Sequence, residues 1–269
     1  MKGIIGSIVG NSIGQSYEQK KTRNYNFNLI YDRTHPADDS VAMLAVADWL
    51  MTTDHSDDAL IDKFHYWCDK YNYGMWNYGL STKFKDWIRL KKREPYNSYG
   101  NGAALRAPAV GWYAETIEDC LDLAKRSAEV THNHPEGIKG AQAVACAIWA
   151  IRSGEHSKRD VINWIQKEFG YNLKRSYEQL WETHKFECTC QNSVPAAFIC
   201  WKDSDSYEDC IRKAIALGGD ADTEAGIAGA LAAADPNTPV DDKLVHDLTR
   251  FFSTEFMELF EKFHAQYEK

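Results

Sequence analysis

Apolar residues in this chain recur mainly at steps of three and four, the spacing that places them on one face of an α-helix. The clearest run has its apolar positions at Ile117, Cys120, Leu121, Ala124 and Ala128. Alternation with a period of two, which is typical of half-buried strands, is scarce. The pattern therefore predicts an all-α fold class.

Polar residues and glycines mark where several of these helices should begin and end. A capping residue followed three positions later by an acidic residue satisfies free N–H groups of a first helical turn. The predicted starts are Thr116 with Asp119, Ser157 with Asp160, and Asp205 with Glu208. A glycine tolerates the left-handed backbone that ends many helices. The predicted ends are Gly154, which closes a run from Ile138 to Ile151, then Gly170 and Gly218.

The rest of the chain gives a less regular pattern. A final helix is predicted from about Asp241 into the 260s, whereas residues 51–99, rich in Trp, Tyr and charge, give only fragments of helix. Neither a fixed-period repeat nor a Pro/Ser-rich linker divides the sequence. We therefore expect a single domain over residues 1–269.

Composition narrows the class of partner. The chain has 269 residues, 44% hydrophobic and 26% charged, with a net charge of -8, which describes a globular protein rather than a disordered one. A net negative charge gives no general attraction to nucleic acid or to an anionic membrane. No apolar run reaches the ~18 residues of a membrane-spanning helix. We expect small molecules or proteins as partners, and nucleic acid only as a modified substrate.

The seven cysteines have no spacing that suggests a disulfide framework. We therefore expect reduced thiols and a cytoplasmic location. His184, Cys188 and Cys190 form a ligand-like cluster, but a fourth ligand at the usual spacing is missing. Buried cysteines are favoured over zinc there.

Two acidic clusters lie at predicted helix starts. Asp38 and Asp39 precede an apolar helical run, and Asp220 and Asp222 follow a Gly-Gly break. Acidic residues often cap helices for electrostatic reasons alone. If the clusters converge, their carboxylates and the Thr223 hydroxyl offer oxygen-only ligation, which suits Mg²⁺, Mn²⁺ or Ca²⁺. The spacing leaves open whether they meet, but it does not match a calcium-binding EF-hand loop.

Five motifs in this order resemble those of the ADP-ribosylglycohydrolase family, in its bacterial-type branch. They are Val9-Gly-Asn-Ser-Ile-Gly-Gln-Ser-Tyr-Glu18, Asp38-Asp-Ser-Val41, Gly100-Asn-Gly-Ala-Ala-Leu-Arg106, Ser127-Ala-Glu-Val-Thr-His132 and Gly218-Gly-Asp-Ala-Asp-Thr223. The resemblance extends from about residue 3 to residue 235. It implies a compact domain of orthogonally packed helices. It also implies an enzyme that removes ADP-ribose from ADP-ribosylated proteins or related conjugates by hydrolysing the glycosidic bond at ribose C1″. Two Mg²⁺ ions would assist, and Mn²⁺ could replace them.

The resemblance also implies roles for single residues. The metal ligands would be Asp38, Asp39, Asp220, Asp222 and Thr223. Glu18 would be the general base, so that the catalytic set is Glu18, Asp38, Asp39 and Asp222. Substrate would be held by Tyr99, Gly100, Asn101, Gly102 and His132, with His132 on the diphosphate and Tyr99 as the nearest candidate for adenine stacking.

Two positions depart from the family pattern. Ala37 replaces a Thr or Ser that would precede the aspartate pair, and Asn11 replaces an Asp. Two alternatives to an enzyme therefore remain open. One is a relative with a degenerate metal site that binds ADP-ribose with little or no turnover, and the other is an all-α scaffold whose acidic residues are only caps.

Overall fold

The computed structural model describes residues 3–30, 38–71, 81–250 and 252–268, and of Asp38 it describes the backbone alone. Within these ranges the regular structure is helical, with one isolated antiparallel bridge between Gly100 and Thr189. The first eight helices are α1 (Ile5–Glu18), α2 (Asp38–Leu50), α3 (Asp57–Lys70), α4 (Thr82–Arg89), α5 (Gly102–Leu105), α6 (Pro108–Tyr113), α7 (Ile117–Glu129) and α8 (Pro135–Arg152). The others are α9 (Lys158–Phe169), α10 (Tyr177–Thr183), α11 (Cys190–Lys202), α12 (Tyr207–Ala216), α13 (Ala221–Ala234), α14 (Asp242–Thr249) and α15 (Thr254–Tyr267). The all-α prediction is confirmed.

Local capping explains why several helices start where the sequence predicts. The Thr116 side chain accepts a hydrogen bond from the Asp119 backbone N–H at the start of α7. Ser157 and Asp160 form a complete capping box at the start of α9, and Gly170 ends that helix with φ +72°. These starts and ends depend on neighbouring residues alone, which is why the sequence predicts them.

Two boundary predictions are wrong. The start of α12 is capped by Ser206, which accepts from the Asp209 N–H, rather than by Asp205 with Glu208. The predicted final helix is two helices, α14 capped by Asp241 and α15 capped by Ser253. Ser253 satisfies the Phe256 N–H, so a new first turn begins inside the stretch that apolar spacing alone predicts as continuous.

Helices α1 and α13 pack closely and run antiparallel. A Cβ atom on Gly6 would overlap the Gly229 carbonyl oxygen, one on Gly10 would overlap the Ala225 oxygen, and one on Gly14 would overlap the Ala221 oxygen. Four residues forward along α1 therefore correspond to four residues backward along α13. The glycines allow backbone-to-backbone contact that larger residues would prevent.

The core surrounds α13, in which every residue is buried. Helix α2 is also apolar on more than one face, since Val41, Met43, Leu44 and Trp49 are all buried. A helix that is buried on all sides lies within the core of a protein rather than on its surface. None of the helices in the described ranges is long and apolar enough to cross a membrane.

Candidate active site

The α1–α13 packing brings three carboxylates together. One further step of four from Gly14 reaches Glu18, at the end of α1, where α13 begins beside Asp220 and Asp222. One oxygen from each of these three side chains lies within 4.8 Å of the others. Asp220 and Asp222 are buried, and Glu18 is half-buried. Residues about 200 positions apart in sequence thus form one acidic cluster.

The first turn of α2 lies against the same end of α13. The Thr223 hydroxyl is 3.5 Å from Asp39 Oδ2, and the Thr223 backbone N–H donates to Asp222 Oδ1 at 2.8 Å. Asp39 is half-buried. The structure therefore brings Asp39 together with the α13 residues predicted to bind metal. The Asp38 side chain and Ala37 lie outside what the structure describes.

The loop before α5 supplies a donor to this cluster. Asn101 Nδ2 donates to Asp220 Oδ2 at 2.6 Å and to the Ser193 hydroxyl oxygen at 2.8 Å. The loop is held by backbone hydrogen bonds from Asn101 N to the Cys188 oxygen and from Cys190 N to the Tyr99 oxygen. Asn101 therefore orients one of the three clustered carboxylates, and Ser193 of α11 is a partner that the sequence does not reveal.

The acidic cluster lies in the wall of a cavity of about 410 Å³. Its lining includes all the predicted site residues whose side chains are described. These are Glu18, Asp39, Tyr99, Gly100, Asn101, Gly102, His132, Asp220, Asp222 and Thr223. Tyr96, Arg106 and Cys188 line it as well. Within the described ranges the cavity is therefore acidic on one side and lined by the 96–102 loop and His132 elsewhere.

The glycines of this loop make room for polar groups. A Cβ on Gly102 would lie 3.4 Å from Asp39 Oδ1, and one on Gly100 would lie 3.3 Å from His132 Nε2. His132 is buried, and its Nδ1 is 2.7 Å from the Thr131 hydroxyl. Burial and the nearby Arg106 charge hold the pKa of His132 well below its usual range. Tyr99 is 48% exposed and meets His134 edge-on.

A buried acidic residue supports the start of α13 from behind. Glu224 Oε1 is 2.8 Å from His184 Nε2, and both side chains approach Gly219 so closely that a Cβ there would overlap them. Burial raises the pKa of Glu224 to about 7. The pair of Glu224 and His184 therefore requires a glycine at position 219, and the sequence alone does not reveal this pair.

The possible zinc cluster is not assembled. His184 bonds to Glu224, the Cys190 thiol lies 3.2 Å from the Gly100 oxygen, and Cys188 lies beside Asp220. Among the described residues, the group that could hold a metal consists of Glu18, Asp220 and Asp222. Cys190 is buried as expected, whereas Cys188 is exposed.

Asn11 forms a hydrogen bond to the first turn of α2. Its side-chain oxygen accepts a 2.7 Å hydrogen bond from the Ser40 hydroxyl, and both side chains are buried. This bond ties α1 to the turn that carries Asp39. Asn11 does not line the cavity as far as the structure describes it.

The donor set fits a hard divalent cation. Clustered carboxylate oxygens with an adjacent hydroxyl are the ligands of Mg²⁺, Mn²⁺ and Ca²⁺, whereas zinc prefers nitrogen and sulfur. A cation would also offset the repulsion between carboxylates held this close together. The acidic group can therefore hold a metal ion.

Comparison with known proteins identifies the class. The family model for ADP-ribosylglycohydrolase matches residues 1–266, so the chain belongs to the ADP-ribosylglycohydrolase family. The solved structure of an "ADP-ribosylglycohydrolase-related protein complex" has the same fold, with a TM-score of 0.73 at 20% identity, over 97% of this chain and 96% of that one.

Three relatives are between 23% and 31% identical to this chain over the aligned residues. The chain is 24% identical to ADP-ribosylhydrolase ARH3 of Mus musculus, over 86% of this chain and 82% of that protein. It is 23% identical to the Homo sapiens protein of the same name, over 86% and 83%. An uncharacterized protein of Archaeoglobus fulgidus is 31% identical, over 49% of this chain and 48% of its own length.

Proposed function

We propose that this protein is an Mg²⁺-dependent ADP-ribosyl hydrolase that cleaves the C1″ glycosidic bond of ADP-ribosylated protein side chains or related conjugates. The observation that supports it best is the convergence of Glu18, Asp220 and Asp222 in one cavity. Family membership supports the class of reaction. For location we propose the cytoplasm, on the basis of cysteine spacing.

The proposed ligands of two metal ions are Asp38, Asp39, Asp220, Asp222 and Thr223. When bound, such ions would attract ribose oxygens and lower the pKa of a nearby water. Asn101 keeps Asp220 oriented, since its amide donates to one oxygen and leaves the other for a ligand. Thr223 lies in the first turn of α13, and its hydroxyl is 3.5 Å from Asp39 Oδ2 in the first turn of α2. Mn²⁺ has similar oxygen preferences and is the expected substitute.

Glu18 is the proposed general base. Its carboxylate takes a proton from the water whose oxygen bonds to C1″, while the bond from C1″ to the leaving nitrogen or oxygen breaks. The leaving group takes up a proton from solvent, and Glu18 returns the proton it accepted to solvent. The transition state of such a cleavage resembles an oxocarbenium ion, which nearby carboxylates stabilise electrostatically. Glu18 lies in the acidic cluster and lines the cavity, where this water would lie.

The loop of Gly100, Asn101 and Gly102 is the proposed ribose-holding and phosphate-holding turn. Its two glycines lie close to Asp39 and His132, so a ligand in the cavity can approach the backbone directly. His132 would contact the diphosphate. Tyr99 is exposed at the cavity and is the proposed adenine-stacking residue.

The test is release of free ADP-ribose from ADP-ribosylated arginine, serine and nucleic-acid substrates with Mg²⁺. We expect release from at least one of them, and we expect Asp222→Ala to abolish both release and the heat of Mg²⁺ binding. Asp122→Ala, which removes an exposed carboxylate of α7, is the matched control and should retain both.

Other outcomes separate the alternatives. Metal-linked ADP-ribose binding without release from any substrate would identify a binding module with a degenerate metal site. No heat with either Mg²⁺ or ADP-ribose would identify a scaffold.

A further inference from the structure

Arg106 connects two of the sequence motifs. Its Nη2 is 2.7 Å from the Ser127 carbonyl oxygen, 3.2 Å from the Ala128 oxygen and 2.7 Å from the Thr131 hydroxyl oxygen, so its two N–H groups donate to Thr131 and to the two carbonyls, which share one of them. Arg106 ends the Gly100–Arg106 motif, and the other three belong to the Ser127–His132 motif. The guanidinium therefore holds the end of α7 against the loop that lines the cavity.

Arg106 is an unusual cation in its surroundings. Its side chain is 2% exposed, it packs over the Phe64 ring, and it forms no salt bridge among the described residues. Burial lowers its pKa to about 10, so it remains charged near neutral pH. A charged guanidinium can only donate hydrogen bonds. Thr131 therefore has to accept from it.

The direction of the Arg106–Thr131 hydrogen bond determines the direction of the hydrogen bond between Thr131 and His132. Because the Thr131 oxygen accepts from Arg106, the single hydroxyl proton is free to donate elsewhere. The acceptor within reach is His132 Nδ1, at 2.7 Å. In the opposite arrangement, with a proton on Nδ1, the Thr131 oxygen would accept twice and its own proton would be left buried without a partner, which is costly.

The surroundings of His132 keep the ring neutral. Among the described groups, those facing it are the Arg106 cation and the phenol of Tyr96, whose ring centroid is 5.9 Å away. Burial raises the pKa of Tyr96 to about 12, so this phenol adds no negative charge. A neutral ring with an accepting Nδ1 carries its one proton on Nε2. Nε2 is the atom that lies beside Gly100 at the cavity.

We propose that Arg106 and Thr131 are positioning residues that fix His132 as the Nε2–H tautomer, so that it donates a hydrogen bond to a phosphoryl oxygen of bound ADP-ribose. The assignment of the ligand rests on the proposed function, whereas the tautomer does not. Arg106 lines the same cavity and forms no salt bridge among the described residues, so its positive charge favours an anionic group at this point.

The experiment is nitrogen NMR of the histidine side chains in the full-length, ligand-free protein at pH 7. His132 is assigned by comparison with His132→Gln. We expect a neutral ring with an unprotonated Nδ1 and a protonated Nε2. An imidazolium, or a proton on Nδ1, overturns the proposal, and this result needs neither ADP-ribose nor a metal ion.

Two variants separate positioning from folding. Thr131→Ser keeps the hydroxyl and should keep both the tautomer and the affinity for ADP-ribose. Thr131→Val removes the hydroxyl, and we expect mixed tautomers and an affinity for ADP-ribose about 3- to 10-fold weaker, measured calorimetrically with Mg²⁺ present. A Thr131→Val protein with the wild-type tautomer or the wild-type affinity overturns the proposal.

The two proposals can fail separately. If the wild-type protein has the expected tautomer but binds no ADP-ribose, the proposed function and the phosphoryl contact fail while the role of Arg106 and Thr131 is supported. If ADP-ribose binds and His132 has the other tautomer, the positioning proposal alone fails.

Discussion

The Asn101 side-chain amide donates to Asp220 at 2.6 Å and to Ser193 at 2.8 Å, so one amide ties the loop before α5 to both α13 and α11. A carboxylate that accepts such a bond is held in one orientation before any cation arrives. Preorganisation of this kind by a residue outside the ligand set affects metal affinity without direct contact with the ion.

We expect Asn101→Ala to weaken Mg²⁺ binding about 10- to 100-fold, because Asp220 loses the donor that orients it. Ser193→Ala removes the other partner of the same amide and leaves the bond to Asp220, so its effect on Mg²⁺ affinity should be much smaller. Calorimetric titration of Mg²⁺ into both variants measures the difference. Equal losses in the two would contradict a specific role for the Asn101–Asp220 bond.

Replacing Glu18 by Gln keeps its size and removes its charge. If Glu18 is the general base, we expect kcat to fall about 10²- to 10⁴-fold, with a much smaller change in the affinity for ADP-ribose. Single-turnover release of ADP-ribose and a separate binding titration measure the two quantities. A kcat close to that of the wild-type protein would assign the proton transfer to another group.

The close packing of α1 on α13 can be tested apart from chemistry. A methyl group on Gly14 would overlap the backbone oxygen of Ala221, the residue between Asp220 and Asp222. We expect Gly14→Ala to destabilise the protein by about 1–3 kcal/mol and to weaken Mg²⁺ binding, because it pushes the start of α13 away.

Gly6→Ala is the matched control for Gly14→Ala. It creates a similar overlap at the far end of the same helix pair, with the Gly229 oxygen and the Ala233 methyl group. It should reduce the free energy of unfolding in the same way and leave the Mg²⁺ affinity of the folded protein unchanged. Denaturant unfolding and Mg²⁺ titration of both variants make the comparison.

His132 should lower the free energy of unfolding of the protein at acidic pH. Its pKa is lowered in the folded state by burial and by Arg106, so below about pH 6.5 the unfolded chain takes up a proton that the folded protein does not. The stability that neutral His132 contributes is therefore fully present above that pH and falls as the pH drops, with a slope that approaches about 1.4 kcal/mol per pH unit.

We expect His132→Gln to flatten the fall in the free energy of unfolding between about pH 6.5 and pH 5 by up to about 1.6 kcal/mol. His246→Gln, at an exposed histidine of α14, is the control and should keep the wild-type slope. Denaturant unfolding at several pH values tests this. Parallel curves for wild type and His132→Gln would show that the folded protein binds the proton as readily as the unfolded chain does.

Helix positions and many of their ends follow from the sequence. The boundaries at Thr116, Ser157 and Gly170 were predictable because capping depends on backbone groups only three or four residues away. The predicted single final helix fails for the same reason, since the local cap at Ser253 outweighs continued apolar spacing. A helix boundary can be predicted from the sequence when the interaction that sets it joins residues close together in the chain.

The candidate site is different, because its residues are identified in the sequence by a family resemblance and not by any local rule. Glu18 has no feature of its own that separates it from other acidic residues at helix ends. Ser193 and Glu224 were missed, and His184 was considered only as a zinc ligand, because their importance comes from contacts that Ser193 makes with Asn101 and that His184 makes with Glu224, far away in the chain. The Arg106–Thr131 bond was hidden in the same way.

By itself the sequence determined an all-α chain, its capped helices and the family to which it belongs, because hydrophobic spacing, caps and ordered motifs are properties of the chain read in order. Only the tertiary structure decided that Glu18 meets Asp220 and Asp222, and that Arg106 faces Thr131. For the acidic cluster the physical reason is the packing of α1 on α13: its register is set by glycines at every fourth position of α1, and that contact exists only when both helices are buried together. For Arg106 and Thr131 it is the packing of the end of α5 against the end of α7.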